Sequence, residues 1–350
     1  MFKSLEIKNL RSITELKIEN LGQVNLFVGH NNCGKTTVLE SLFFLIGPTN
    51  PHLPVRANSF RGLTLLGKEI WPTFFHNMDV RKTIHIMGIT KEENKRHSLE
   101  IDIRKKDVHN IPQEETVHSD LVRGTGDSEM PFIAEGLTFH FTLNDGGKTQ
   151  TSSIFLNGEG IKTEGIDKPV FRGIFISPAG ESEFKDRFDD IQSKKQTGEV
   201  ISLLREVDPK IVDLRLNRAG ILMADIGLPE LIPVNLMGGG IVRFLSIALA
   251  MLSYKGGIVM IDEIENGIHH SLQETLWKTI FSWANKLNVQ VFATTHSYEN
   301  INAFDKSSRN SLFAEEAKVF RIERKDNTFK SIEFDVEKLE RFLEKMWEVR

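Results

Sequence analysis

Three separate stretches of the chain carry residue types whose spacing suits phosphate chemistry. The first, Gly29-His-Asn-Asn-Cys-Gly34-Lys35-Thr36, fits the pattern G-x-x-x-x-G-K-[ST]. Glycines let such a loop curl until consecutive N–H groups point at one anion, and a helix start behind it adds positive potential. The expected nucleotide-binding set is Gly29, Asn31, Asn32, Cys33, Gly34, Lys35, Thr36 and Thr37. Lys35 would reach the β- and γ-phosphates of a nucleoside triphosphate, and the Thr36 hydroxyl would ligate Mg²⁺. The second stretch, Asp262-Glu263, supplies an acidic pair. Asp262 suits the other Mg²⁺ contact, and Glu263 suits a general base acting on the attacking water. The third is Thr294-Thr295-His296-Ser297, where His296 suits a γ-phosphate contact. The expected catalytic residues are Lys35, Glu263 and His296, and the expected metal ligands are Thr36 and Asp262.

Each stretch sits where an element would have to place it. Val24-Asn-Leu-Phe-Val28 reads as a buried strand ahead of the glycine loop, and Val38, Leu39, Leu42, Phe43 and Ile46 recur at helical spacing behind it. Gly256-Gly257 turns into Ile258-Val-Met-Ile261, a continuous apolar run typical of a strand buried on both faces. That strand delivers Asp262 to its carboxyl end, where open α/β sheets place ligands. Val289-Gln-Val-Phe-Ala293 does the same for His296. Between these parts, Ile84 to Met87, Ser98 to Ile103, Leu137 to Leu143 and Ser153 to Leu156 alternate with period two, which predicts an antiparallel β subdomain. The polar segment 104–129 reads as a long loop. Phe184, Phe188 and Ile191, then Val200 to Val207, read as helices, and Val212 to Ile226 as a hairpin. Two strands and an amphipathic helix with Val336, Leu339, Leu343 and Met346 on one face are expected at the end.

The fold class implied is α/β: a phosphate-loop head with a mainly parallel core sheet, an antiparallel β subdomain and a helical insertion. The chain is read as one head over 1–350. Its parts are an N-terminal core lobe (1–60), a β-rich subdomain (61–178), a helical and hairpin insertion (179–234) and a C-terminal core lobe (235–350). The 350 residues carry a net charge of −4 and are 40% hydrophobic and 26% charged, ordinary values that argue against a strongly basic nucleic-acid coat. The single cysteine, Cys33, allows no internal disulfide, which fits a cytoplasmic protein. No apolar run is long enough to span a membrane, so a transporter is excluded within this chain. Cys33 itself has two readings: a reactive thiol with a pKa lowered by the helix start and Lys35, or a residue that merely packs.

Upstream of the acidic strand lies Asn235-Leu-Met-Gly238-Gly239-Gly240-Ile-Val-Arg243, three glycines before an apolar helix. This is a second candidate anion site, which one phosphate loop does not need but a nucleotide shared between two copies does. The whole set resembles ABC-type ATPases of the SMC, RecF and OLD kind, sometimes called AAA family ATPases. The matching stretches are Leu5-Glu-Ile-Lys-Asn-Leu-Arg11-Ser, the phosphate loop, Met237-Gly-x-Gly-x-x-Arg243, Ile261-Asp-Glu-Ile-Glu-Asn-Gly-Ile-His269 and Ala293-Thr-Thr-His296-Ser. The resemblance implies a head-to-tail homodimer, or a higher oligomer, closing on ATP. It implies Gly238, Gly239 and Gly240 as the signature acting in trans, His296 as the switch histidine and Arg11 as a contact near the nucleotide. Asn266 to His269 would touch the opposite subunit.

The chain departs from that pattern twice. Its signature lacks the usual serine, and the loop matching the glutamine that senses Mg²⁺ is Ile176-Ser177-Pro178-Ala-Gly-Glu181, without a glutamine; Gln192 is displaced. Ser177 or Glu181 would then carry that coupling. OLD nucleases carry a metal-binding nuclease domain after the ATPase. The stretch after His296 is too short for one, and His269-His270, consecutive on a helix, would point different ways. The first functional reading is an ATPase whose closure regulates a separate effector protein, a nuclease among the options, in bacterial antiphage defence or DNA maintenance. The second is a RecF-like repair ATPase that binds DNA directly, using Arg104-Lys-Lys106, Lys194-Lys195, Arg321 and Arg324-Lys325. The third is a scaffold that binds ATP without hydrolysing it.

Overall fold

The computed structural model describes residues 1–63, 67–107, 121–122, 132–158, 160–165, 169–178, 184–309, 314–334 and 338–339. Three strands with unbroken apolar character form its centre: β3 (Val24–Val28), β14 (Ile258–Ile261) and β15 (Gln290–Thr294), every residue of them buried. They pair in parallel, β14 to β15 and β15 to β3, which is why they read as continuous rather than alternating runs. β10 (Gly173–Ile176) extends the sheet in parallel on one side, and β16 (Ala317–Lys325) on the other. β17 (Thr328–Phe334) closes it as an antiparallel edge, giving the order β10-β14-β15-β3-β16-β17.

Alternate side chains of these strands fall into separate cores, as a two-residue period requires. Val24, Leu26, Val28, Val259, Ile261, Val291 and Ala293 face α5 (Gly239–Ser253), α6 (His270–Leu287) and α7 (Tyr298–Arg309). Phe27, Ile258, Met260 and Phe292 face α1 (Lys35–Ile46) on the other side. α1 buries every residue from Thr37 to Ile46, because a second sheet covers its far side.

That second sheet is antiparallel, in the order β2-β1-β4-β5-β7-β8-β9. It comprises β1 (Phe2–Leu10), β2 (Ile13–Ile18), β4 (Ile84–Thr90), β5 (Arg96–Asp107), β7 (Phe132–Leu143), β8 (Gln150–Asn157) and β9 (Gly160–Gly165), with the short β6 (Leu121–Val122) on β7. The period-two alternation in these segments corresponds to its buried inner face, which includes Ile84, Ile86, Leu99, Ile101, Leu137 and Phe139. Its first two strands come from the first eighteen residues of the chain. α2 (Leu53–Phe60) follows α1 and packs against it. A buried amide ties the sheets together: Gln290 Nε2 donates to Phe2 O at 2.7 Å and to Gly22 O at 2.8 Å, while its Oε1 accepts the Phe2 N–H at 2.8 Å.

After β10 come α3 (Lys185–Ser193), α4 (Thr197–Val207) and a small sheet of β11 (Asp213–Leu216), β12 (Leu222–Asp225) and β13 (Ile232–Pro233). The segment expected as a loop over 104–129 departs from that reading at its start: Arg104 to Asp107 continue β5, paired with β7. Residues 108–120 and 123–131 lie outside the described residues. So do Val336, Leu343 and Met346 of the expected last helix, whereas Leu339 is described and buried. No described helix is long and apolar enough to cross a membrane.

Candidate nucleotide-binding site

The glycine loop joins β3 to α1. Gly29 and Gly34 adopt φ of 138° and 99°, and Asn32 61°, so the turn occupies backbone space that favours glycine. At Gly29 a side chain is also excluded by space: a Cβ would stand 2.4 Å from Ile322 O. α1 begins without a side-chain cap, which leaves its first N–H groups as donors for an anion. The Lys35 ammonium folds back along the loop and donates to Gly29 O at 2.7 Å and His30 O at 2.9 Å.

Neighbouring strand ends bring the distant residues to this loop. Thr36 Oγ1 lies 2.9 Å from Asp262 Oδ2 and 3.1 Å from Oδ1. On the other side, Thr294 Oγ1 donates to Asp262 Oδ1 at 2.6 Å and accepts the Glu263 N–H at 2.8 Å. Burial pushes the Asp262 carboxyl above its ordinary range, opposed by the hydrogen bonds from Thr294 and Thr36. A hydroxyl and a buried carboxylate in contact make a hard-oxygen donor set, the kind Mg²⁺ takes, and Thr36 with Asp262 would hold it.

Glu263 adopts a φ of 47°, in the left-handed region uncommon for a residue with a side chain. Beyond the Thr294 contact, its carbonyl accepts the Asn266 N–H at 2.9 Å and Arg243 Nη2 at 3.1 Å. Arg243 lies on α5 just behind the three glycines. Its guanidinium is buried and also donates to Asp262 O at 2.6 Å and Ser177 O at 2.7 Å. Desolvation lowers its pKa to about 10. One side chain thus joins the glycine helix, the acidic turn and the end of β10. Ser177 enters through its carbonyl; Glu181 lies outside the described residues, and Gln192 is on α3.

A cavity of ≈ 830 Å³ opens over these groups. It is lined by Arg11, Asn31, Asn32, Gly34, Lys35, Thr36, Thr37, Asp262, Glu263 and His296 of the expected set, and also by Arg61, Thr294 and Arg324. Gly29 and Cys33 are not among its lining residues. A larger cleft, ≈ 1360 Å³, contains none of these residues; it is lined by Lys3, Lys91, Lys318 and Glu316 near the starts of β1, β3 and β16.

The expectation of a lowered Cys33 pKa is overturned. The thiol is buried, and desolvation raises its pKa; the opposing effect of Lys35, whose Nζ lies 3.9 Å from Sγ, is the smaller one. The packing reading holds. The expected divergence of His269 and His270 also fails. His269 is the residue before α6 rather than part of it, and the two rings lie 4.1 Å apart.

Arg11 reaches the cavity from the turn after β1, held by Glu40 at 2.9 Å and Asn58 at 2.9 Å, with its guanidinium 4.4 Å from the Phe74 ring centre. Glu40, buried in α1, also binds Arg61 Nε at 2.6 Å. Arg61 carries no signal in the sequence, and Arg243 and Thr294, though inside the matched stretches, carry no individual role there. An arginine after a helix, or a threonine at a strand end, has no spacing signal; only the phosphate-loop context would have drawn attention to them. Gly238 and Gly239 are exposed at the start of α5, outside the cavity lining, and a Cβ on Gly240 would meet Gly267 O at 3.4 Å.

Comparison with known proteins agrees with this geometry. A family model described as "AAA domain, putative AbiEii toxin, Type IV TA system" matches residues 24–302. An ATP/GTP phosphatase of Helicobacter pylori is 26% identical over 356 residues, covering 93% of each chain. The DNA replication and repair protein RecF of Halothermothrix orenii is 32% identical over 110 residues, 31% of this chain and 25% of that protein. Among solved structures, an SMC head bound to the C-winged helix domain of ScpA matches with a TM-score of 0.54 at 12% identity, over 97% of this chain and 99% of that one. A second SMC head, bound to the C-terminal domain of ScpA derived from Pyrococcus furiosus, matches with a TM-score of 0.50 at 10% identity and 99% coverage of both. With a match that takes in the glycine loop, the acidic pair and His296, the chain belongs to this AAA-domain family, and its fold is that of the SMC heads.

Proposed function

We propose that the chain hydrolyses ATP and closes head-to-tail on a second copy around the nucleotide, and that this closure regulates a separate effector protein. The observation that carries the reading is the division of the site. Lys35, Thr36, Asp262, Glu263 and His296 line one cavity, whereas Gly238 to Gly240 start an uncapped helix outside it. The phosphate loop and Lys35 bind the triphosphate; Asp262 and Thr36 are the residues that would hold Mg²⁺, which would supply compensating positive charge for the phosphates. Glu263 accepts a proton from the attacking water, and its strained backbone, held by Thr294, Asn266 and Arg243, keeps the carboxylate at the cavity. The exposed glycines of the second copy supply N–H groups to the γ-phosphate. Arg243 connects those glycines to the acidic turn, so a phosphate bound across the interface acts on Glu263 through one side chain.

The name of the Helicobacter relative supports nucleotide hydrolysis. The family description, which names a toxin–antitoxin system, and the SMC heads bound to ScpA support work with a second protein, in antiphage defence or DNA maintenance. Direct DNA binding receives less support, because proposed cations are engaged within the chain: Arg104 with Glu135 and Glu164, Lys194 with Asp190, Arg321 with Glu323.

Complementation tests the shared site. Gly240→Asp should abolish hydrolysis while sparing ATP binding, since its carboxylate repels the partner's γ-phosphate. Mixed with Lys35→Ala, it should recover activity through one intact composite site per heterodimer. No recovery at any ratio would overturn the head-to-tail arrangement.

A further inference from the structure

Glu265 follows the acidic pair by two residues and packs beneath His296. Its side chain is 11% exposed, and its Oε1 lies 3.3 Å from His296 Nδ1. The same oxygen accepts the His296 backbone N–H at 3.1 Å, while Oε2 is buried without a hydrogen-bond partner among the described residues. The meeting follows from the sheet. β14 and β15 run in parallel with Ile261 opposite Ala293, so the loops that leave them emerge side by side, joined by the Ile264 N–H on Thr294 O at 3.0 Å.

Nδ1 and Oε1 stand at ion-pair distance, and because an ionised carboxylate only accepts hydrogen bonds, the contact favours a proton on Nδ1. The opposite tautomer would set a nitrogen lone pair against a desolvated anion, a costly arrangement away from water. Nε2 is then the ring nitrogen turned away from Glu265. The ring is 53% exposed, and His296 lines the cavity together with Lys35, Thr36, Asp262 and Glu263.

We propose that Glu265 is a positioning residue for His296: it fixes the ring and its Nδ1–H tautomer, so that Nε2 meets the γ-phosphate end of the nucleotide. The catalytic part of this proposal rests on the ATPase reading above. The carboxylate also supplies compensating charge whenever Nε2 carries a proton, the role a buried carboxylate has behind the imidazole of a Ser-His-Asp triad.

The tautomer can be read without any reaction, by ¹⁵N NMR of the histidine-labelled full chain near pH 8. We expect His296 to carry its proton on Nδ1; a proton on Nε2 instead would overturn the proposal. In steady-state hydrolysis, Glu265→Gln should lower kcat by about tenfold or more while KM for ATP stays within about twofold. The double variant with His296→Ala should lose no more activity than His296→Ala alone, because the two residues act as a unit. Additive losses, or a Glu265→Gln protein at the parent rate, would also refute it. If the parent chain does not hydrolyse ATP, the ATPase reading fails while the tautomer still decides the dyad. If Glu265→Gln does not fold, the spectrum of the parent decides.

Discussion

The Thr294 hydroxyl stands 2.6 Å from Asp262 Oδ1 and donates to it, and the same oxygen accepts the N–H of the neighbouring acid, Glu263, at 2.8 Å. One hydroxyl on β15 therefore sets both members of the acidic pair at the end of β14. Thr294→Val keeps the shape and removes both bonds. It should destabilise the fold by about 1–3 kcal/mol, because the Glu263 N–H and the buried Asp262 carboxylate each lose a partner. Chemical denaturation would measure that loss. Hydrolysis should fall with it, and Thr294→Ser, which retains the hydroxyl, should recover most of both.

Lys35→Ala should abolish ATP binding in calorimetry. The ammonium rests on Gly29 O and His30 O, and on the proposed reading it would turn to the β- and γ-phosphates when nucleotide binds. ATP affinity equal to the parent's would remove the phosphate loop from the site.

Glu263→Gln should retain ATP binding and lose roughly 10²-fold or more in hydrolysis, because an amide of the same shape cannot accept the proton of water. With ATP present, the variant should accumulate as a dimer in light scattering. Unchanged turnover would assign the base elsewhere.

Stability should fall on acidification below neutral pH. His97 is buried against Phe2, Phe141 and Phe171. Desolvation first, then the positive charges of Lys95 and the N-terminus, lower its pKa from 6.5 to about 4. The unfolded chain takes up this proton near the ordinary histidine value, whereas the folded chain resists it until about pH 4. The contribution is therefore complete above the unfolded value and is lost progressively as pH drops through that window, by about 3 kcal/mol at most. Urea midpoints between pH 8 and pH 5 would show the slope, and His97→Phe should flatten it.

The sequence by itself determined the parts with short-range signatures. The glycine loop and its helix, the buried runs around Leu26, Met260 and Phe292, and the period-two strands all follow from spacing, since local geometry dictates which residue types each element tolerates. Asp262, Glu263 and His296 were legible because each ends a strand of that kind. Tertiary structure alone decided how distant pieces share charge and protons. Nothing near Arg243 in the chain announces that it donates to Ser177, Asp262 and Glu263, nor does α1 reveal that Glu40 holds both Arg11 and Arg61. Cys33 shows the same limit from the other side. Its neighbours along the chain favour a thiolate, but the packing that buries it raises its pKa. Desolvation and long-range hydrogen bonding depend on which surfaces meet, and that is set only when the two sheets close on α1.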